Sequence, residues 1–375
     1  MFLSLESNAQ TKTLRVTPGN LSTLLGSETN SITNLILSGA INGTDIGKIR
    51  TMSHLSVLNL TNVKIVTGGG FVVNGNNVSV MDNQIPNDML NQLTNIQTVV
   101  IPQSVTSIGH YAFYECSGLS SVIIPNSVTS IGECAFHDCS NLSSVSIGSG
   151  LATISQTAFC GSIKLKDFIV SASNLTYYSV NGILYNKNRT KLIHYPNAMS
   201  SSFTIPTRVT AIDGHAFCGC KDLKSITIPS LVKSIGEEAF CDCSSLCEIH
   251  CYAITPPVTS LCTFSNVSKS SCILYVPKGT VAYYKASLGW GEFLNINEDL
   301  PTSITDLESK EITVYSKPDA ILIKGAEVGI SISIYNLFGT LLKTVIASNE
   351  DVTIDVPAHQ IYLVKIDTKQ YKIAL

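Results

Sequence analysis

Apolar and polar positions alternate along this chain with a long, fixed period. The dipeptide Ala-Phe stands at Ala112-Phe113, Ala135-Phe136, Ala158-Phe159, Ala216-Phe217 and Ala239-Phe240, at spacings of 23, 23, 58 and 23. Around it runs a unit of the form I-P-x-S-V-T-S-I-G-x-x-A-F-x-x-C-x-x-L-x-S-V-x. Ile101-Pro102, Ile124-Pro125, Ile205-Pro206 and Ile228-Pro229 anchor it, and Ile147 and Val170 keep the apolar position without the proline. Cys116, Cys139, Cys220 and Cys243 share one place, and Leu119, Leu142, Leu165, Leu223 and Leu246 another. A weaker copy runs upstream through Leu90, Ile96 and Val99, and "LILSG" and "LNLTN" lie 23 apart around Leu37 and Leu60.

A 23-residue unit cannot bury its apolar side alone, so stacked copies must merge those sides into one core. Each Leu-x-x-Val-x-Ile run predicts a short strand with alternate side chains inward. Proline after the last Ile ends that strand without removing an interior ladder bond, and Gly after Ser-Ile is expected to make a tight turn. Ten coils follow, with strands ending near Leu37, Leu60, Ile101, Ile124, Ile147, Val170, Ile205, Ile228, Cys251 and Val276. The long spacing is filled by residues 171–200, where "YYSVNGILYNKNRTKLIHYPN" predicts an inserted hairpin turning at Asn186 to Thr190. Residues 11–82 are expected to form an N-terminal cap with degenerate repeats.

Texture changes after the last coil. Residues 277–296 are expected to cap the open end with Tyr283, Tyr284, Trp290 and Phe293. Residues 297–311 are polar, contain Pro301 and predict a linker. Seven alternating segments over 312–375 predict a small β-sandwich. The fold class is therefore mainly β: a repeat solenoid with a small C-terminal β-sandwich. At the other end, Phe2 to Leu5 and Ser7-Asn8-Ala9-Gln10 have the pattern of an h-region tail and a cleavage site, so residues 1–10 are expected to be a signal-peptide remnant.

The Ile-Pro-x-x-Val-x-x-Ile-Gly-x-x-Ala-Phe-x-x-Cys-x-x-Leu units over 83–276 resemble the BspA-like leucine-rich repeats of bacterial surface proteins. That resemblance implies an exported, non-enzymatic protein at the cell surface or outside the cell, adhering to host, matrix or bacterial surface proteins. "SISIYNLFGTLLK" followed by "IYLVKID" resembles the C-terminal sorting domains of the type IX secretion route. Ala358-His359-Gln360 stands where a glycine is usual before the Ile-Tyr pair of that pattern.

Composition narrows the chemistry. Charged residues are 14% of the 375, net charge is −3 and mean hydropathy is +0.26. No basic surplus exists to neutralise a phosphate backbone, so nucleic acid is not an expected partner. No apolar run reaches the length of a transmembrane helix. Twelve cysteines include Cys218-x-Cys220 and Cys241-x-Cys243, but the repeat accounts for most of them: Cys220 and Cys243 are the unit's core cysteine, and Cys160, Cys218 and Cys241 directly follow the unit phenylalanine. Column neighbours about 4.8 Å apart could form a thiol ladder or crosslinks. No metal or cofactor site is expected. None of the seven histidines makes an H-E-x-x-H pair, and His110 and His215 fall at turn positions on the repeat surface. His250 and Cys251 point to opposite faces, and no nucleophile elbow or P-loop occurs.

What remains for function is the outward row of strand positions: Ser121 and Ile123, Ser144 and Ser146, Asp167 and Ile169, Ser225 and Thr227, Glu248 and His250. Parallel strands would stack them into one regular, small and nearly uncharged sheet face suited to a flat protein or a glycan. The second candidate is the inserted hairpin with Tyr177, Tyr178, Tyr185 and Tyr195, either displayed for binding or packed as a clamp on neighbouring coils. A spacer that displays a neighbouring module, or a glycan-recognising accessory unit, are the alternative functions.

Overall fold

The computed structural model describes residues 10–300 and, apart from positions 318, 327–329, 337–338, 350, 358–359 and 367–368, residues 313–374. Two compact units divide between Leu300 and Pro301. The expected signal remnant up to Ala9 and the linker from 301 to 311 lie outside the described residues.

Each 23-residue unit of the first body makes one coil with a longer and a shorter strand, Ser121–Ile124 and Ser130–Ile131 for example. Both pair in parallel, in register, with the same residues one coil away: Ser144 with Ser121 and Asp167, Ile131 with Ile108 and Ile154. The third side is closed by backbone bonds between turns, among them Phe113 N–H to Ala135 O at 2.8 Å and Phe136 N–H to Ala158 O at 2.8 Å. Val122, Ile124, Val128, Ile131, Ala135, Phe136, Cys139 and Leu142 are all buried. Each such aliphatic side chain contributes about 1.5–3 kcal/mol when fully covered, and covering it takes the coils on both sides.

The unit cysteine has a specific duty. Cys139 Sγ donates to the Phe113 carbonyl at 3.1 Å and Cys243 Sγ to the Phe217 carbonyl at 3.1 Å. In the coil that lacks this cysteine, Ser162 Oγ donates to the Phe136 carbonyl at 2.9 Å. A small buried donor is what the position requires. All twelve cysteines are free thiols.

The glycine after Ser-Ile differs from expectation. Gly109, Gly132 and Gly236 do not have positive φ; that conformation falls two residues later, at Tyr111, Cys134 and Glu238 (φ 55°, 50° and 53°). These glycines are there because coils touch: a Cβ on Gly132 would lie 2.8 Å from the Gly109 carbonyl carbon. We predict that Gly132→Ala, by forcing two coils apart, costs about 1–3 kcal/mol. An unchanged urea midpoint would show that the contact yields freely.

The long-strand column holds twelve strands, in ladders of four, three and five. Ten were expected; the additional two are Gln10–Val16 at the start and Asn295–Leu300 at the end. Asn295–Leu300 pairs with Ile273–Pro277, so the expected linker does not begin at 297. At the N-terminal end, helix Gly43–Arg50 is started by a capping box between Asn42 and Asp45. At the C-terminal end Tyr284, Trp290 and Phe293 are buried, with Trp290 Nε1 donating to Pro257 O at 2.8 Å. Tyr283 does not join that cap: helix Val281–Ala286 turns it outward, and it is 60% exposed.

The insert is a three-stranded meander, where a two-stranded hairpin was expected. Tyr177–Val180 and Ile183–Asn186 pair antiparallel around Asn181-Gly182, whose φ values of 50° and 77° suit a tight primed turn. The expected turn at Asn186 to Thr190 is the second one. Asn186 Oδ1 holds it by accepting from Thr190 N–H and Lys191 N–H. Strand Lys191–His194 then pairs in parallel with Ala211–Ile212 and restarts the short-strand column.

The second unit has two antiparallel sheets, of three and four strands. Ile321, Ile323, Ile332, Ile334, Ile354, Tyr362, Val364 and Ile366 from both sheets form one buried cluster.

Candidate functional site

Outward strand positions lie where the alternation puts them. Ser121 and Asp167 are exposed and Ser144, Ser146, Ser225, Thr227, Glu248 and His250 half-exposed, while the residues between them are buried. Ile123 is 68% and Ile169 55% exposed, so the N-terminal part of the face carries two apolar points among hydroxyls. The face is not one regular sheet, however. The long-strand ladder stops at Asp167–Val170 and resumes at Ser202–Thr204. Between them the insert takes over the bonding: Phe168 N–H donates to Gly182 O at 3.0 Å, and Val170 N–H to Ser179 Oγ at 3.0 Å.

Beyond the break the surface changes character. The His250 ring stacks on Tyr275 at 4.5 Å, and its Nε2 lies 3.4 Å from Glu248 Oε2. Tyr275 was not among the expected residues, yet it is the strand partner of His250. One more step of the repeat would have found it. A shallow groove lined by Ile273, Val281, Leu294 and Ile296 continues this end of the face.

The tyrosines of the insert are not a displayed binding surface. Tyr177, Tyr185 and Tyr195 are 7%, 2% and 1% exposed. Tyr195 occupies the phenylalanine place of its coil: its N–H donates to Ala216 O, and its ring stacks on Phe217 at 5.0 Å. Tyr178 is half-buried, with the Arg189 guanidinium 5.4 Å from its ring centroid. The packed clamp is the alternative that fits, because the insert has to fill the core it interrupts.

The insert also creates a seam, with one apolar cluster on each side. His194 lies in it, buried, with Nε2 unpartnered and Phe168 5.4 Å away edge-on. Burial, and then the nearby His215, lower its pKa to about 4. At the rim, Asp213 accepts from Gln156 Nε2 at 2.7 Å and pairs with Lys191 Nζ at 2.8 Å, joining coils on both sides of the insert.

Outside this rim the turns after Phe159 and Phe217 come together. The Cys160 and Cys218 sulfurs and a ring nitrogen of His215 lie within 4.8 Å of one another. His215 was expected on the surface; its side chain is only 17% exposed, because the facing turn covers it. The Cys218 pKa is lowered, first by its hydrogen bond with Cys160 and also by that with His215. The His215 pKa is raised, mainly by the same bond to Cys218. Sequence spacing pointed to Cys218 with Cys220, but those two face different surroundings. The partner in space comes from the coil before the insert.

The family model described as BspA type Leucine rich repeat region matches residues 83–201 and 194–278, in six copies that together span just over half of the chain. Among solved structures, a leucine-rich repeat protein from Eubacterium ventriosum is similar at 19% identity over 78% of this chain and 80% of that one, with a TM-score of 0.43. A leucine rich cell surface protein from Faecalibacterium prausnitzii is similar at 18% identity over 78% and 82%, with a TM-score of 0.39. For a leucine-rich repeat protein from Bacteroides ovatus the values are 16%, 77% and 81%, and 0.39. No curated protein sequence matches.

Proposed function

The chain belongs to the BspA-type leucine-rich repeat family, and from that membership we propose that it is an exported, non-enzymatic binding protein of a bacterial surface. Its partner is a host, matrix or bacterial surface protein, held on the outward face of the long-strand column. The observation that carries this reading is the in-register stacking of Ser121, Ser144 and Asp167, and of Ser225 and Glu248, as small or polar side chains over a rigid parallel ladder. Such a row offers hydroxyl hydrogen bonds and close approach, with little charge to steer association. In this reading the C-terminal unit is a small β-sandwich that serves as a type IX sorting module. No helix among the described residues is long and apolar enough to cross a membrane.

The test is a protein and glycan array, followed by variants against whichever partner saturates. Ser144→Arg and Ser225→Arg project a long charged side chain from the face and are expected to weaken binding at least about tenfold, by more than 1.4 kcal/mol. Leu175→Arg, in the insert at a position 86% exposed, is expected to leave binding unchanged. Binding lost only with Leu175→Arg moves the site to the insert. A chain that binds nothing on either array is a spacer, and binding confined to glycans makes it a carbohydrate-recognising accessory.

A further inference from the structure

The insert does more than interrupt the repeat: it gathers a donor set that no single coil contains. In the regular coils the place after the phenylalanine holds Tyr114, His137 and Cys241, and the place two before it Tyr111, Cys134 and Glu238. Equivalent places in adjacent coils do not converge on one point. At the seam the coil between them is shortened, and the two outer turns meet directly: a Cβ on Gly219 would lie 3.8 Å from the Gly161 nitrogen. Cys160, His215 and Cys218 are thereby placed with their ligand atoms within 4.8 Å of one another, the one such group among the described residues.

Two features of this group point to an ion. Its donors are two sulfurs and an imidazole nitrogen, the set preferred by zinc-class cations over calcium or magnesium. Zinc–sulfur and zinc–nitrogen bonds of about 2.3 and 2.0 Å place tetrahedral ligand atoms roughly 3.5–3.8 Å apart, a contraction of about 1.3 Å at most from what is present. Second, His215 Nδ1 faces a carboxylate. Glu238 Oε2 is 3.4 Å from it, close enough for charge attraction but not aligned for a bond.

We propose that Cys160, His215 and Cys218 bind one zinc-class divalent cation that staples the two halves of the solenoid together across the insert. Binding releases to solvent the protons that the two thiols carry, so that two thiolates and a neutral imidazole face the ion. Glu238 stands where a carboxylate orients a metal-bound imidazole through its other nitrogen. A fourth ligand from water completes the tetrahedron. Because Phe159 and Phe217 belong to the two separate apolar clusters, the ion bridges cores that the insert divides.

The experiment uses the full chain, purified with reductant, stripped with a chelator and titrated with Zn²⁺ against a chromogenic competitor. One tight equivalent is expected, and the thermal midpoint should rise with free Zn²⁺. Co²⁺ in place of zinc should give thiolate charge-transfer absorption and the intense visible bands of tetrahedral cobalt, which report the ligands without any variant. Cys218→Ser and His215→Ala should each weaken Zn²⁺ binding by more than about 100-fold, beyond the loss of an outer partner alone. Cys247→Ser, at an exposed thiol elsewhere, should not. Retention of the tight equivalent in Cys160→Ser/Cys218→Ser would overturn the proposal. So would an octahedral cobalt spectrum, or a Cys160–Cys218 disulfide in protein purified with Zn²⁺ present.

Discussion

Phe136→Ala should destabilise the solenoid by about 5 kcal/mol, most of the stability of an ordinary domain. Phe136 is fully buried, and its ring lies parallel to Phe113 at 4.9 Å and to Phe159 at 5.3 Å, each within 4°. Those separations exceed the thickness of a ring, so the rings are slipped, the favoured offset arrangement. Truncation removes about 3–5 kcal/mol of transfer and cavity energy, and two stacked pairs add about 0.5–1.5 kcal/mol each. Collapse cannot heal the void, because the coils on both sides are fixed by their own ladders. A coil touches only its neighbours, so the loss should also weaken coupling along the stack and broaden the transition. Urea unfolding followed by far-UV circular dichroism measures both effects. Phe136→Leu should recover most of the loss, and a Phe136→Ala midpoint indistinguishable from the parent would refute the ladder as a source of stability.

Acid should weaken the seam through His194. Its folded pKa, about 4, is below the ordinary value of 6.5. As pH falls the unfolded chain therefore takes up the proton first, and stability drops. The contribution is complete above about pH 6.5 and is eroded down to about pH 4, by roughly 3 kcal/mol in all and about 2 kcal/mol at pH 5. Carboxylates titrate over the same range, so the comparison that isolates this group is His194→Leu. The variant should match or exceed the parent at pH 7.5, since it also removes an unpartnered buried nitrogen. At pH 5 it should be the more stable by about 2 kcal/mol. Equal pH dependence of the two proteins in urea unfolding would show that His194 finds water or a partner when charged.

Much of this molecule was legible because a solenoid turns sequence distance into spatial adjacency. Residues 23 apart become neighbours, so the Ala-Phe column, the unit cysteine and the inward Val and Ile could be placed before any coordinates. The additional strands at the ends were harder: Leu14 lies one period before Leu37, but without Ile-Pro or Ala-Phe around it the strand is marked by its neighbour alone. The glycine after Ser-Ile shows its place in the sequence but not its reason. A single unit shows a turn there, and only the stack shows the backbone of the next coil against it.

The chain by itself determined the period, the inward and outward sides of each strand and the place of the insert, because all three follow from local alternation repeated at one interval. Tertiary structure decided what happens where the interval fails. At the insert, 35 residues stand where 23 would keep the register, and no periodic rule says which side chains then meet. Packing buries Tyr177, Tyr185 and Tyr195 there to fill the interrupted core, and breaks the strand face between Asp167–Val170 and Ser202–Thr204. It also brings Cys160 to His215 and Cys218 from the far side of the insert. Contacts within the repeat are set by a spacing that the sequence displays; contacts across the seam are set by how a non-repeating segment fills a volume.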